Sequence, residues 1–247
     1  MKILLISDIH ANFPALLAIE KYFSPESFDA VINAGDSLVY GPFPHETLDW
    51  LRTRNAQSIL GNTDKKVLQL LAGKTMKKPS KHEKRIMYTW TAAHLDRCDI
   101  AALRSLPTSL LLDSPPKART GTRHPLIGVF HGSPADDDEF LFPDTPPERL
   151  GELELLTTAG IIIIGHSHTP FHRITGTGAH FINPGSAGRM FDGDPRASCA
   201  VLSFEAGGIQ VEHFRIPYPI QEVVDGLLEN NLPEIYGRMF LAGRKLN

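Results

Sequence analysis

The sequence has few cysteines, no long apolar run and no excess of positive charge. Its two cysteines, Cys98 and Cys199, are too few for a disulfide framework or a thiolate metal site, which favours a reducing cytoplasm. No apolar run approaches the ~18 residues of a membrane span, and Asp8 interrupts the apolar start, so we expect no membrane partner and no signal peptide. The net charge of −3 argues against duplex nucleic acid as the main partner.

The composition and the hydrophobic pattern predict one α/β domain over residues 1–247. Hydrophobic residues make up 42% of the chain and charged residues 21%, as in an average folded protein. Short apolar runs alternate with segments of helical periodicity, which is typical of parallel strands joined by helical crossovers. The predicted strands are 3–7, 29–34, 57–60, 126–130, 160–164, 171–174, 179–182, 198–204 and 209–214. The predicted helices are 13–23, 44–54, 146–158, 219–229 and 233–241. We therefore expect two sheets packed together, with helices on their outer faces.

A basic segment follows the third predicted strand. Between Lys65 and Trp90 there are seven lysines and one arginine, against Glu83 alone. We expect this basic excursion, at about residues 65–105, to be helical beyond His82. It is either a solvated helix face with a loop or a rim that attracts phosphate-bearing substrates.

Five short polar segments each follow the end of a predicted buried strand. In open α/β sheets, ligands bind outside the carboxyl ends of the strands, so five polar segments at one edge are hard to explain by packing. Taken singly, each is typical of a cap, a turn or a structural histidine, but the ordered set indicates a site. The segments are Asp8-Ile9-His10, Gly35-Asp36, Gly61-Asn62, His131-Gly132 and Gly165-His166-Ser167-His168.

These segments supply seven oxygen and imidazole donors without a thiolate. The seven are Asp8, His10, Asp36, Asn62, His131, His166 and His168. Such a set suits Mn, Fe, Zn or a similar divalent ion, with Mn favoured. Residues i and i+2 in extended backbone point to the same side, so Asp8 with His10, and His166 with His168, can each chelate one centre. Seven donors exceed the need of one ion, which indicates two divalent ions with Asp36 as the natural bridge.

A pair of ions at such a site indicates hydrolysis of a phosphoester. The ions would lower the pKa of a shared water, clamp the phosphoryl oxygens and orient an in-line attack by a metal-bridging hydroxide. Their four positive charges, set against Asp8, Asp36 and the hydroxide, leave about +1, which a phosphodiester monoanion neutralises and a monoester dianion exceeds. We therefore expect a phosphodiesterase that acts on a small, nucleotide-like phosphoester substrate.

With these motifs the sequence resembles the calcineurin-like metallophosphoesterase superfamily, whose pattern is D-x-H, G-D, G-N-H-D/E, H and G-H-x-H. Other segments are similar to its small bacterial and archaeal phosphodiesterase branch. They are Ser7-Asp8-Ile9-His10-Ala11-Asn12, Tyr40-Gly41-Pro42, His131-Gly132-Ser133-Pro134, Asn183-Pro184-Gly185-Ser186 and Asp192-Gly193-Asp194-Pro195-Arg196-Ala197-Ser198. The resemblance runs from about residue 1 to residue 204.

The resemblance implies a four-layer α/β/β/α sandwich of two mixed sheets with outer helices, and a dimetal centre at one edge. It implies that one ion is held by Asp8, His10, Asp36 and His168, and the other by Asp36, Asn62, His131 and His166. This assignment separates His166 from His168, unlike the chelation argument. The resemblance also makes Asn62, Asp64 and His131 the candidate catalytic residues. It places the loop with Asn183 and Ser186 near the site, as a support for a ligand or as a plain turn. Arg189 and Arg196 could each contact a phosphate, but a structural role is the preferred interpretation of both.

One position departs from the family pattern. The usual G-N-H-D is here Gly61-Asn62-Thr63-Asp64, so the histidine thought to protonate or stabilise the leaving group is missing, and Thr63 is no acid of comparable strength. Either the leaving group needs little protonation, or a donor comes from elsewhere. Asp64, which orients that histidine in related enzymes, is left to cap a helix or hold Asn62. We expect activated or strained phosphodiesters to react faster than alkyl monoesters.

Other functions stay open on the sequence alone. A phosphoanhydride such as a dinucleoside polyphosphate is a second substrate class, for which neutralising Lys77, Lys78 and Lys81 would raise KM selectively. Protein phosphatase activity is a third. A non-catalytic scaffold with a retained metal site is the alternative of another class, since a retromer subunit of this fold works through protein surfaces. A homo-oligomer is compatible with each of them.

Overall fold

The computed structural model describes residues 1–24, 28–76, 79–114, 125–205 and 208–246. Within these ranges the chain forms ten strands and eight helices. The strands are β1 (Lys2–Ile6), β2 (Ala30–Asn33), β3 (Gln57–Ser58), β4 (Ser109–Leu112), β5 (Ile127–Phe130), β6 (Ile161–Ile163), β7 (Phe171–Ile174), β8 (His180–Asn183), β9 (Ala197–Glu205) and β10 (Gly208–Ile216). The helices are α1 (Phe13–Tyr22), α2 (Pro44–Thr53), α3 (Asn62–Leu71), α4 (His82–Ala93), α5 (Arg97–Ser105), α6 (Pro147–Glu154), α7 (Ile220–Glu229) and α8 (Glu234–Ala242).

The strands form two mixed sheets of five strands each. The first sheet has the order β10-β9-β1-β2-β3, in which β1, β2 and β3 are parallel and β9 and β10 are antiparallel additions. The second sheet has the order β4-β5-β6-β8-β7, in which β5, β6 and β8 are parallel and the edge strands β4 and β7 are antiparallel. The carboxyl ends of six parallel strands thus carry the loops described below.

Three apolar cores lie between the layers, because successive side chains of a strand point to opposite faces of its sheet. Ile3 and Leu5 of β1 share a core with Ile161 and Ile163 of β6, between the two sheets. The other face of the first sheet packs against α1, α2, α7 and α8, and against α3 to α5. The other face of the second sheet packs against α6. The order helix, sheet, sheet, helix confirms the predicted α/β/β/α sandwich; that residues 1–247 form one domain stays a prediction.

The elements differ from the predicted ones mainly in the basic excursion. Helices α4 and α5 form the part that was predicted to be helical beyond His82; α3 adds a helix at the start of the excursion, and β4 was not predicted. Helix α3 is amphipathic, since Val67 is buried and Leu68, Leu70 and Leu71 pack against the same core. Lys77 and Lys78 lie outside the described residues. Among the helices that the structure describes, none is both long and apolar enough to cross a bilayer.

Candidate metal centre

All seven predicted donors lie at the carboxyl ends of parallel strands, with Asn62 at the start of α3 and the other six in loops, and the structure brings these six into two adjoining clusters. Asp8, His10 and His168 form the first cluster, and Asp36, His131 and His166 form the second; within each, the candidate ligand atoms lie within 4.8 Å of one another. All six are buried. Asp36 lies between the clusters, because its Oδ2 is 3.9 Å from His10 Nε2 and its Oδ1 is 3.5 Å from His131 Nε2.

The first cluster holds two imidazole nitrogens that face each other without a proton between them. His10 Nδ1 donates to the carbonyl oxygen of Leu38 at 3.2 Å, and His168 Nδ1 donates to the carbonyl oxygen of Arg189. These bonds leave the Nε2 of each neutral ring with a lone pair, and the two Nε2 atoms are 3.3 Å apart. Two lone pairs at that distance repel each other unless a cation lies beside both.

The carboxylate of Asp8 adds a buried oxygen to the same place. Its Oδ2 accepts from Ser7 Oγ at 2.7 Å and from the backbone N–H of His166 at 3.0 Å. Its Oδ1 is buried and has no hydrogen-bond donor among the described residues, and it lies 3.4 Å from His168 Nε2. A buried acceptor without a donor costs free energy, which a cation would remove. The first cluster therefore fits a divalent ion.

The second cluster has the same kind of backbone support for its rings. His131 Nδ1 donates to the carbonyl oxygen of Ala34 at 2.8 Å, and its Nε2 lies 3.2 Å from His166 Nδ1. The ring of His166 is held in turn by a hydrogen bond with the backbone of Asp138. Backbone carbonyls thus orient all four imidazoles, which is the usual support of histidines that bind metal.

The amide of Asn62 lies beside the second cluster. One amide atom is 3.0 Å from Asp36 Oδ2 and 3.2 Å from His131 Nε2, and the other is 3.2 Å from Lys66 Nζ. With its nitrogen toward Asp36, the amide makes hydrogen bonds to all three groups. With its oxygen there, it offers a ligand to a cation.

Burial keeps three of the four imidazoles neutral. It lowers the pKa of His10 to about 3 and that of His168 well below its ordinary value. Burial, with the nearby His131, lowers the pKa of His166 to about 4. A neutral imidazole is the form that a metal ion binds, so no proton has to leave these rings at neutral pH.

The carboxylates draw positive charge to the same place. Burial raises the pKa of Asp8 to about 7, and the negative charge of Asp36 adds to this effect. Burial opposes a charge on His131, but Asp36 and then Asp8 outweigh it and raise the pKa of His131 to about 10. In the same way His131 holds the pKa of Asp36 below its ordinary value although burial opposes this. Charge and donor type together fit a pair of divalent cations.

Five of the seven residues have left-handed backbone, a feature that the sequence did not reveal. The φ angle is 51° at Asp8, 53° at His10, 53° at Asp36, 63° at His166 and 56° at His168. Each such residue costs about 1–3 kcal/mol, and such strain is concentrated at functional sites in proteins. The extended backbone assumed for the chelating pairs was wrong. Asp8 and His10 share a cluster, but His166 and His168 lie in different ones, as the resemblance implied.

Close approach of the backbone explains two of the glycines. A Cβ atom at Gly61 would lie 2.1 Å from Asp36 Oδ1, and one at Gly165 would lie 2.0 Å from Ser7 Oγ. Neither position can take a side chain without moving a loop that carries a candidate ligand.

Asp64 and Thr63 form hydrogen bonds that hold the loop after β2 against the start of α3. The carboxylate of Asp64 accepts from the backbone N–H groups of Ser37, Leu38 and Gly61 at 3.0–3.1 Å, and so it ties the start of α3 to the loop after β2. Thr63 donates its backbone N–H to Asp36 Oδ1 at 2.8 Å and its hydroxyl to the carbonyl oxygen of Leu38 at 3.2 Å. The hydroxyl that stands where the family has histidine is therefore already engaged.

The loop after β8 supports the site from the second sheet. Asn183 Nδ2 donates to the carbonyl oxygen of Gly165 at 2.8 Å, and Ser186 Oγ donates to the carbonyl oxygen of Asp8 at 2.7 Å. Of the two possibilities for this loop, the structure supports a role in holding the donor loops. Arg196 pairs with Asp194 on the surface.

The clusters open into a cleft of about 600 Å³. Beside the donors, four aromatic rings line it, those of Tyr40, Tyr88, Phe140 and Phe191. Phe140 packs against the ring of His166 and Phe191 stacks on that of His168, with centroid distances of 4.1 and 4.0 Å. The sequence did not indicate that Phe140, Phe191 and Lys245 line this cleft, because no local pattern places them there. Lys66, Lys81 and Lys84 of the basic segment also line it, which supports the alternative that this segment forms a rim for phosphate-bearing substrates. The cleft has the size of a site for a small molecule.

Comparisons with known proteins agree with this geometry. Residues 1–207 match the calcineurin-like phosphoesterase superfamily domain. The chain is 28% identical to an uncharacterized protein of Methanocaldococcus jannaschii, with 98% of each chain covered. It is similar to the crystal structure of a metallophosphoesterase from Sphaerobacter thermophilus, with 27% identity, a TM-score of 0.79, and 98% of this chain and 99% of that chain covered. A hypothetical protein of Pyrococcus horikoshii has the same fold, with 20% identity, a TM-score of 0.84 and 99% of each chain covered. The chain therefore belongs to the calcineurin-like phosphoesterase superfamily, which confirms the prediction of a phosphoesterase.

Proposed function

We propose that this protein hydrolyses phosphodiester bonds of small, nucleotide-like substrates with the help of two divalent metal ions. One observation carries the proposal: the unprotonated His10 Nε2 and His168 Nε2 face each other at 3.3 Å beside the unpartnered Oδ1 of Asp8. Neither hydrogen bonding nor packing explains three buried lone pairs at one point, whereas a cation does.

In this proposal one ion is held by Asp8, His10, Asp36 and His168, and the other by Asp36, Asn62, His131 and His166. The amide of Asn62 turns its oxygen toward the second cluster. The mixed oxygen and nitrogen donors favour Mn, Fe or Zn over Mg, and Mn is our first choice. When bound, such ions activate water as a nucleophile and neutralise charge on the phosphoryl group.

The protein's own residues orient this centre and the substrate. Asp64 holds the loops of Asp36 and Asn62 in place, and the backbone carbonyls fix the rings of the four histidines. Asn62 lines the cleft beside the second cluster, whereas His131 is fully buried behind it; together with Asp64 they are the candidate catalytic residues. The cleft has room for a small phosphoester. We place the enzyme in the cytoplasm because both cysteines are unpaired thiols, as in a reducing compartment.

Lys66 is the side chain that we assign to the task of the missing histidine. It lies one turn along α3 from Asn62 and Thr63, it lines the cleft, and its Nζ is 3.2 Å from the Asn62 amide. An ammonium group at this place can stabilise negative charge on a leaving oxygen. It needs no help from Thr63, whose hydroxyl is engaged with Leu38.

Replacing Lys66 with methionine should lower kcat on a 2′,3′-cyclic nucleotide by roughly 10²-fold, because the leaving alkoxide there needs stabilisation. Hydrolysis of bis-p-nitrophenyl phosphate should change little, since p-nitrophenolate is a good leaving group. Steady-state kinetics on both substrates measures the difference. Lys65→Met is the matched control, since Lys65 directly precedes Lys66 on α3 and pairs with Asp137. Equal losses on both substrates would remove Lys66 from this role.

Substrate turnover by the purified chain tests the proposed function. We expect that metal analysis finds divalent ions, that added Mn²⁺ raises the hydrolysis of bis-p-nitrophenyl phosphate, and that a chelator abolishes it. Activated and strained diesters should turn over faster than a simple alkyl phosphate. Fastest turnover of the alkyl phosphate would instead indicate a monoesterase. If the metal-loaded chain hydrolyses none of these substrates, the scaffold alternative takes precedence.

A further inference from the structure

Four cations from three distant parts of the chain line one wall of the cleft. Lys81 and Lys84 lie at the start of α4, Arg189 lies in the loop after β8, and Lys245 follows α8. We call these four residues the cationic wall. Among the residues that the structure describes, none of the four forms an ion pair with a carboxylate, whereas five arginines outside the cleft do. A concentration of unpaired positive charge inside a concave site needs an explanation.

Arg189 is the buried member of the wall. Its side chain is part of a residue that is only 5% exposed, and its guanidinium lies 3.9 Å from the centroid of the Tyr40 ring. Its Nη2 donates to the sulfur of Met239 at 3.3 Å, a weak acceptor, and its Nε has no partner in the described part of the chain. Burying a guanidinium with an unused donor is costly, and among the described residues aromatic rings and a sulfur, not a carboxylate, surround this charge. Arg189 was expected to be structural, but its place and its unused donor favour binding of an anion.

Arg189 is also tied to the metal clusters. Its carbonyl oxygen accepts from His168 Nδ1, so the same residue orients a candidate ligand and presents its guanidinium to the cleft. Phe191 lies on the other side, 4.9 Å from the guanidinium and stacked on His168. An anion held by Arg189 is therefore next to the first cluster.

The cations of the wall are close enough to affect one another. The pKa of Lys84 is lowered by burial and then by the charges of Lys245, Arg189 and Lys81. Like charges held together cost free energy in the empty cleft, and a multiply charged anion removes this cost. The carboxylate of Glu83 raises the pKa of Lys84, but this effect is smaller than the lowering by the three cations.

We infer that the cationic wall binds a second phosphate group of the substrate, next to the one that reacts at the metal clusters. The substrate is then a nucleotide-like ester or anhydride that carries at least one further phosphate. This inference rests on the proposed function for the reacting phosphate. The inference follows from charge. The two metal ions would already neutralise a monoanionic phosphodiester, so the four cations of the wall would have no anionic partner unless the substrate carried a further phosphate. Arginine and lysine together are the usual ligands of a phosphate group.

Binding of nucleotides to the full chain after metal removal tests the wall independently of catalysis. The probes are AMP, ADP and adenosine 3′,5′-bisphosphate, which carry one phosphate, two linked phosphates and two separate phosphates. We expect ADP, the bisphosphate or both to bind at least about tenfold more tightly than AMP in calorimetric titrations, the effect of one or two charge-assisted hydrogen bonds. Lys84→Met with Lys245→Met should remove this preference. Lys74→Met, an exposed lysine of the same basic segment, should keep it.

Hydrolysis by the Mn²⁺-loaded chain is the second measurement. Thymidine 5′-(p-nitrophenyl phosphate) is compared with its 3′-phosphorylated form, which has the same leaving group. A lower KM for the 3′-phosphorylated form, lost in the double variant, would support the wall for a phosphate at that distance. The inference is overturned if neither two-phosphate nucleotide is preferred over AMP, or if the double variant weakens AMP equally. If the preference persists but no diester is hydrolysed, the proposed function fails while the second-phosphate site stands.

Discussion

Replacing Asp36 with asparagine should abolish hydrolysis of bis-p-nitrophenyl phosphate. Asp36 is the carboxylate that reaches both clusters, with its two oxygens 3.9 Å from His10 Nε2 and 3.5 Å from His131 Nε2. An amide carries no negative charge and offers one oxygen, so it can serve one ion at most. Loss of a bridging ligand removes several kcal/mol of stabilisation from the charged transition state, and we expect kcat to fall on the order of 10³-fold.

The folded structure should survive this replacement. Asparagine has nearly the same shape, and its oxygen can still accept the backbone N–H of Thr63, which now donates to Asp36 Oδ1 at 2.8 Å. Metal content per chain, measured by elemental analysis, should fall together with kcat. Asp49→Asn is the control, since Asp49 is a surface carboxylate paired with Arg52. Full activity of the Asp36 variant with unchanged metal content would contradict the bridging role.

Replacing Asp64 with alanine should destabilise the protein and disable the site together. Its carboxylate accepts three backbone N–H groups, those of Ser37, Leu38 and Gly61, and it is buried. Leaving these donors unsatisfied should lower the free energy of unfolding by about 3 kcal/mol or more. For a chain of this length, that corresponds to a fall in Tm of roughly 6–12 °C. The loops that carry Asp36 and Asn62 would lose their common anchor.

Asp99 provides a matched control for Asp64. It occupies the same third position of a helix, α5, and accepts the backbone N–H of Asp96 at 3.1 Å, but it lies away from the clusters and also pairs with His45. Asp99→Ala should cost about 1 kcal/mol and leave hydrolysis unchanged. Thermal unfolding and turnover, measured on both variants, separate the two cases. Equal effects on turnover would mean that Asp64 has no special relation to the site.

Much of the fold could be predicted because the buried strands are short, apolar and regularly spaced. Strands β1, β5 and β6 lie within one or two residues of the predicted runs, since they are covered on both faces and carry a continuous apolar signal. The strand β4 could not be predicted in this way. It is a partly exposed edge strand, and its pairing with β5 decides its form.

The candidate donors could be named because polar residues directly after buried strands have few structural explanations. Which donors share a cluster was a different question, and spacing alone gave the wrong pairing for His166 and His168. Their φ angles of 63° and 56° turn the backbone so that the two rings separate, and the contacts that hold these angles come from other loops. The spacing of residues along the chain gives no information about such contacts.

The sequence by itself determined the layer order, the edge at which the chemistry lies and the types of donor, because each follows from local hydrophobic pattern and residue chemistry. Only the tertiary structure decided the division of the donors into two clusters, the unused donors of buried Arg189 and the convergence of Lys84 and Lys245 on one wall. The physical reason is distance along the chain. Residues more than a hundred positions apart meet through the packing of the two sheets, and no pattern within one segment records that meeting.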